Sequence, residues 1–197
     1  MEVSRIGDSI LHFNYPTADS MHTAGNRFHV YYEDPIHKGR LETDNKVWSG
    51  YNYPPGIITQ LPAEQLSPEE TELQNWALHY PNNYIILTYQ NPNVNRTIVH
   101  ETAHALFSTD SNYREEVISV LKGRDLSAMK SILSKYDEEV FLDEAQAYLI
   151  EWSKVSKDLS NKADSYLLTH RELSHIYNRY AARLHRVPLR VSMRTFK

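Results

Sequence analysis

Residues 83–108 read NYIILTYQNPNVNRTIVHETAHALFS and predict a strand that leads directly into a helix. The first eight residues are mostly aliphatic, β-branched or aromatic, which is typical of a strand. The Asn-Pro-Asn sequence that follows ends the strand and can cap the next element. Apolar residues then recur at helical spacing, namely at Val94, Ile98, Ala105 and Leu106. The stretch therefore predicts a strand and an amphipathic helix joined by a short turn.

His100, Glu101 and His104 form an HExxH pattern inside this predicted helix. Residues four apart lie on one face of a helix, so both imidazoles can approach one ion at about 2.0–2.1 Å from each nitrogen. Glu101 is offset from that face by about 100° and can reach a water on the metal without binding the metal itself. About 0.04 such patterns would arise by chance in a chain of this composition. The pattern predicts a zinc site with Glu101 as the general base.

A catalytic zinc needs a third protein ligand, and more than one carboxylate could serve. Glu144 lies in the mostly apolar stretch 141–150 of a predicted helix, where an unpaired charge is costly unless a metal or a cation neutralises it. Asp110 is the alternative, because the spacing from His104 is similar to that of metzincin-like, snapalysin-type peptidases. That motif needs a glycine where this chain has Phe107, and a bulky residue resists the required turn. We therefore favour Glu144 and expect Asp110 to lie in a loop or to cap the helix that starts near Tyr113.

The HExxH pattern and the later phrase Phe141-Leu142-Asp143-Glu144-Ala145 resemble the gluzincin branch of the zincin metallopeptidases. The resemblance covers roughly residues 83–150 and implies that His100, His104 and Glu144 bind zinc while Glu101 acts as the base. The later phrase is also similar to the ligand helix of the anthrax-lethal-factor-like peptidases. In that group the ligand precedes the phrase's own glutamate by one turn, where this chain has Val140 with Glu139 beside it. Glu139 and Glu138 therefore stay open as alternatives to Glu144.

Peptide hydrolysis also needs a hydrogen-bond donor for the developing oxyanion. Tyr148 follows Glu144 by one helical turn and faces the same way, so it is our candidate for this catalytic role. Tyr113, Tyr136 and His175 are further candidate donors. Metal-bound imidazoles usually donate their second N–H to a carboxylate, for which Asp143 and Asp110 are candidates.

The flanking sequence predicts an α+β fold in one metallopeptidase-like domain, residues 1–197. Residues 1–90 form a sheet-rich part, a small and mostly antiparallel sheet that packs on the active-site helix, and residues 91–197 form a helical part. Further strands are predicted at residues 10–15, 27–33, 46–51 and 57–61. Further helices are predicted from a Ser67-Pro68 start to about Tyr80, and at residues 114–122, 126–136, 138–157 and 162–184. By analogy with zincins, we expect a peptide substrate to add along a sheet edge at residues 84–90.

The composition narrows the possible chemistry. The chain has ten histidines and no cysteine, which excludes thiolate nucleophiles and the Cys-containing metal site of peptide deformylase.

The N-terminus lacks the features of a secretory leader, and no stretch approaches the ~18 apolar residues of a membrane span. We expect a cytoplasmic protein or one exported by a leaderless route, as a secreted effector or toxin is.

The net charge is −4, although residues 171–197 carry seven Lys/Arg against one Glu. We interpret this basic end as a solvated helix and tail, so a nucleic-acid partner is not expected.

Together the HExxH pattern, the candidate third ligand and the composition predict a zinc-dependent metalloendopeptidase that hydrolyses a protein or peptide substrate. A non-catalytic binding protein with the zincin fold is the alternative, and a metal-dependent nuclease that uses Asp110 is a third hypothesis.

Overall fold

A computed structural model describes residues 1–33, 39–40, 42–46, 48–134, 136, 138 and 140–189. The chain divides into two compact units, Met1–Ile98 with Leu184–Lys197, and Val99–Arg183. The strands are β1 (Glu2–Ile6), β2 (Ile10–Tyr15), β3 (Gly50–Tyr53), β4 (Tyr84–Tyr89) and β5 (Arg186–Leu189). The helices are α1 (Ala18–Glu33), α2 (Pro68–His79), α3 (Val94–Thr109), α4 (Ser111–Lys122), α5 (Ser127–Ile132), α6 (Phe141–Glu151), α7 (Val155–Leu159) and α8 (Ala163–Ala181). The predicted α+β class, with an N-terminal sheet and a helical C-terminal half, is confirmed.

The five described strands form one mixed sheet with the order β3-β4-β2-β1-β5. β2 and β4 pair in parallel, whereas the other described pairs are antiparallel, so the sheet is mostly antiparallel as predicted. β4 is hydrogen-bonded on both sides, to β2 and to β3. The expectation that residues 84–90 offer an open edge to a substrate is therefore wrong, since β3 and β5 are the described edges.

One face of the sheet packs against α1 and α2 to form the core of the first unit. The strands contribute Leu11, Phe13 and Leu87, and the helices contribute apolar side chains such as Phe28 and Trp76. The ring of Phe13 meets that of Trp76 edge-on, at 5.9 Å between centroids. Core residues within a strand are two positions apart, as Leu11 and Phe13 are, because every second side chain of a strand points to the same face of the sheet.

The predicted strand at residues 27–33 is wrong, because these residues belong to α1. The sequence Gly25-Asn26 resembles a turn, yet Gly25 lies in the middle of this helix. A Cβ atom there would lie 2.7 Å from a Leu87 methyl and 2.8 Å from the Tyr51 ring. The Tyr53 hydroxyl also donates a hydrogen bond to the Gly25 carbonyl, at 2.7 Å. This glycine therefore allows the helix and the sheet to approach closely.

The remaining differences in the first unit concern short elements and element ends. The predicted strand at 57–61 is instead a short 3₁₀ helix, Ile58–Gln60, and β3 begins at Gly50 rather than at residue 46. The strands β1 and β5 are absent from the sequence prediction. The predicted start of α2 at Ser67-Pro68 is confirmed, and Ser67 and Glu70 form a capping box there through backbone and side-chain hydrogen bonds.

The second unit consists of helices in its described residues. The predicted helix at 138–157 is interrupted after α6 by Trp152, which adopts a positive φ of 60°. The predicted helix at 126–136 is shorter, as α5. The predicted helix that carries the HExxH pattern is α3. No described helix is long and apolar enough to cross a membrane. The expected single domain, with the sheet packed on the active-site helix, stays a prediction.

Candidate metal centre

Helices α3 and α6 bring together the three residues that the sequence singles out as metal ligands. One ligand atom from each of His100, His104 and Glu144 lies within 4.8 Å of the other two. His104 and Glu144 are only 2% and 8% exposed. The His100 side chain is 16% exposed, so solvent reaches the cluster at this residue. The residues thus form a largely buried group of nitrogen and oxygen donors with one accessible side.

The spacing of the two imidazoles suits a tetrahedral metal ion. The Nε2 atoms of His100 and His104 are 3.3 Å apart. Two nitrogens that bind one tetrahedral zinc at 2.0–2.1 Å are separated by about 3.3 Å. Two histidines and one carboxylate also match the ligand set that catalytic zinc sites use, with the fourth position left for water or substrate. The residues present therefore fit a zinc ion.

Asp143 orients the ring of His104. The Nδ1 atom of His104 lies 2.9 Å from Oδ1 of Asp143, so its N–H donates to that carboxylate and Nε2 is left to face His100. Burial by itself lowers the pKa of His104, but Asp143, Glu144 and Glu101 outweigh burial and raise the pKa to about 10. Without an ion these carboxylates favour the protonated ring, and a bound cation would take the place of that positive charge. Of the two carboxylates proposed from the sequence as partners of a ligand imidazole, Asp143 is the one that pairs with His104.

Asp143 is held in turn by a buried chain of hydrogen bonds. Nε2 of Gln146 donates to Oδ1 of Asp143 at 3.1 Å. The Tyr113 hydroxyl donates to Oε1 of the same glutamine at 2.8 Å. Tyr113 and Gln146 are both fully buried. Sequence reasoning missed Gln146, although its position three residues after Asp143 places both on one helix face.

The candidate oxyanion donors differ in their surroundings. The hydroxyl of Tyr113 is engaged by Gln146, and His175 is exposed on α8. Tyr136 lies beside Tyr148, with 3.5 Å between the two hydroxyl oxygens. Tyr148 combines a position on α6, one turn after Glu144, with direct contact to His100, a candidate ligand. It is therefore the best placed of the four.

The ring of Tyr148 meets the ring of His100 edge-on, with 4.8 Å between centroids. Burial raises the pKa of Tyr148 to about 12, and the charges of Glu144, Glu101 and Glu151 act in the same direction. The hydrogen bond with Tyr136 opposes this shift only in part. Tyr148 thus keeps its proton at neutral pH and can donate a hydrogen bond beside the candidate ligands.

His100 is neutral in these surroundings. Burial, then the positive charges of His104 and Lys154, lower its pKa well below the usual value. The Nδ1 atom of His100 lies 4.0 Å from Oε2 of Glu151, at the last turn of α6. A neutral imidazole has the lone pair that metal binding requires.

Glu101 lies next to His100 on α3 and is 5% exposed. Its charge contributes to the raised pKa of both His104 and Tyr148, which places the carboxylate within electrostatic range of the cluster. This buried carboxylate lies beside the candidate ligands, in the position that HExxH gives to a general base, and its catalytic role stays a prediction.

The alternative ligands lie elsewhere or outside the described residues. Oδ1 of Asp110 accepts a hydrogen bond from the backbone N–H of Tyr113 at 3.0 Å and caps α4. Glu138 is 85% exposed in its side chain and pairs with Lys130 at 2.8 Å. Glu139 lies outside the described residues. The described cluster therefore contains Glu144 and neither Asp110 nor Glu138.

Comparisons of this chain with protein-family models, with curated proteins and with solved structures give no match. The function proposed for the chain therefore depends on the chemistry of the His100, His104 and Glu144 cluster and of the groups around it.

Proposed function

We propose that this protein is a zinc-dependent metallopeptidase that cleaves a protein or peptide substrate. The observation that carries the proposal is the 3.3 Å separation of the two Nε2 atoms, with the Glu144 carboxylate close to both. In the proposed site His100, His104 and Glu144 hold the ion. When bound, zinc supplies a Lewis acid that polarises the scissile carbonyl and lowers the pKa of water to about 7.

Glu101 is the proposed general base. Its carboxylate accepts the proton of the attacking water and then delivers that proton to the leaving amine. The low exposure of Glu101, 5%, supports this role, because a buried carboxylate exchanges its proton with the reacting groups rather than with bulk solvent. A site that only bound a metal would not need this carboxylate beside its first histidine.

Tyr148 is the proposed donor to the oxyanion. The raised pKa, about 12, keeps the hydroxyl protonated at the pH of the reaction. Its ring contact with His100 positions the side chain next to the ligands, where negative charge develops on the carbonyl oxygen. Such a donor stabilises the transition state more than the ground state, so its loss lowers kcat.

Asp143 supports the imidazole of His104. The hydrogen bond of Asp143 to Nδ1 of His104 directs the lone pair of Nε2 toward the cluster. Asp110 caps α4, so the residue on which the nuclease hypothesis depends has a structural role. The metallopeptidase is therefore the better supported function.

The test compares the wild type with Glu101→Gln and with Glu138→Gln as a matched control on an exposed glutamate. Zinc is measured by elemental analysis, and hydrolysis is followed with quenched fluorescent peptides and denatured casein. We expect one zinc per chain in all three proteins and a loss of hydrolysis of about 10²–10⁴-fold in Glu101→Gln alone. Absence of zinc from the purified, zinc-supplemented wild type would refute the proposal. Zinc without any hydrolysis would instead favour the non-catalytic binding protein.

A further inference from the structure

Lys154 places a positive charge next to the proposed catalytic tyrosine. Its Nζ atom lies over the ring of Tyr148, 5.8 Å from the centroid. The backbone of Lys154 is fixed at the start of α7, because its carbonyl accepts hydrogen bonds from the amides of Lys157 and Asp158 at 3.0 and 3.2 Å. The side chain is exposed. Among the residues that the structure describes, its ammonium group forms no ion pair.

The ammonium group is close to the atoms on which the chemistry would occur. The contacts of the Tyr148 ring, 5.8 Å to Nζ and 4.8 Å to the His100 ring, place Nζ within about 11 Å of the His100 ring centre. An extended peptide covers that distance in about three residues. A substrate group that contacts Lys154 therefore belongs to a residue close to the scissile bond.

The charge of Lys154 contrasts with its surroundings. Carboxylates dominate the described residues at the cluster, which include Glu101, Asp143, Glu144 and Glu151. A carboxylate on the substrate would be repelled by these groups unless a nearby cation received it. A lysine on a flexible stem suits a carboxylate partner whose position varies slightly among substrates.

We propose that Lys154 binds a carboxylate of the substrate and thereby selects peptides that carry one within about three residues of the scissile bond. This inference rests on the proposed peptidase function and names the substrate class of the same site. The carboxylate can come from an Asp or Glu side chain or from the C-terminus of the substrate. The first source makes the protein an endopeptidase with a preference for acidic residues, and the second makes it a carboxypeptidase.

The first experiment measures binding and does not depend on turnover. Short peptide hydroxamates are used as probes, because the hydroxamate binds zinc while the attached residue reaches the surroundings of the metal. A Glu-amide probe is compared with a Gln-amide probe, and a Gln free acid with the same Gln-amide. Dissociation constants for the zinc-loaded protein are measured by calorimetry at low and at high salt.

We expect one carboxylate-bearing probe to bind about fivefold more tightly than the neutral probe, the ratio for a single partly exposed ion pair. High salt should reduce that ratio. Lys154→Met should abolish the preference, Lys154→Arg should keep it, and Lys154→Glu should reverse it in favour of a Lys-amide probe. Lys157→Glu is the matched control, since it makes the same charge change on the exposed surface of α7 and should leave the preference unchanged.

Cleavage of a synthetic peptide library, read by mass spectrometry, then reports the preference during turnover. If all probes bind the zinc-loaded wild type equally well, the role of Lys154 is refuted while the metal site stands. An unchanged preference in Lys154→Glu refutes it as well. If no hydroxamate binds, the metal site itself fails, and the inference about Lys154 fails with it.

Discussion

Gln146 is the residue whose replacement tests most sharply how the buried hydrogen bonds support the proposed metal site. Gln146→Met keeps the length of the side chain but removes both its acceptor for the Tyr113 hydroxyl and its donor to Asp143. Two separate effects follow, one on the stability of the fold and one on the affinity for zinc.

The effect on stability comes from Tyr113. Its hydroxyl is buried with the ring and loses its partner, which costs about 1–3 kcal/mol of the free energy of unfolding. The double variant Gln146→Met/Tyr113→Phe should recover most of this loss, because both polar partners are then absent. Urea denaturation of the zinc-free proteins measures both quantities.

The effect on zinc affinity comes from Asp143, whose carboxylate is no longer held against Nδ1 of His104 by the glutamine amide. Loss of such a supporting group weakens metal binding by about 10–100-fold. The double variant should not recover this loss, because Asp143 still lacks its donor. Competition with a chromogenic chelator at a fixed pH measures the zinc Kd. A Kd for Gln146→Met within about twofold of the wild type, alongside a weakened Asp143→Asn, would show that the glutamine amide does not support the metal site. Recovery of zinc affinity in the double variant would show that packing, and not the hydrogen bond to Asp143, was responsible.

Other regions give independent predictions. Tyr148→Phe should keep its zinc and lose about 10²–10³-fold in kcat with little change in KM, measured with the fluorescent peptides, and a wild-type kcat would contradict the oxyanion role. Burial and then Arg186 lower the pKa of His12 to about 4. Between pH 6.5 and 4 the unfolded chain therefore carries a proton on this histidine that the folded chain lacks. Stability should therefore fall by about 3 kcal/mol as the pH drops through that window, and the fall should be smaller in His12→Gln by urea denaturation at several pH values. Gly25→Ala should lower the free energy of unfolding by about 1–3 kcal/mol, because the added Cβ meets Leu87 and Tyr51. Gly123→Ala is the control, since the nearest contact of its added Cβ is at 3.7 Å, and it should change the melting temperature little.

The part of the site that the sequence predicts is the part set by local geometry. The spacing of His100 and His104 is enough to place both rings on one face of α3. Glu144 could be inferred because a carboxylate among apolar residues on a helix needs a compensating charge. The hydrogen bonds of Gln146 and Tyr113 could not be inferred, because they depend on how α4 packs against α6. No local spacing in the sequence predicts that packing.

The same distinction between local and long-range contacts applies to the fold. The strand β4 and the capped helix α2 have strong local patterns, and their predicted bounds agree closely with the structure. The helix α1 is missed because Gly25 is a turn signal in isolation, and its packing role exists only once β3 and β4 lie beneath it. The pairing of β5 with β1 joins opposite ends of the chain, as between Val3 and Leu189, and sequence periodicity carries no information about such a contact.

Helix α6 concentrates four roles within six residues, and this has a consequence for tracing relatives of the chain. Asp143 is the partner of an imidazole, Glu144 is the candidate ligand, Gln146 supports Asp143 and Tyr148 is the proposed hydroxyl donor. Because their contacts depend on helical spacing, a one-residue insertion among them would turn the later members by about 100° away from α3. A composite signature follows, in which HExxH is followed by a tyrosine nine residues after the second histidine and then by Asp-Glu-x-Gln-x-Tyr. Distant proteins that share this chemistry should retain the signature even where the remainder of their sequences has diverged beyond alignment.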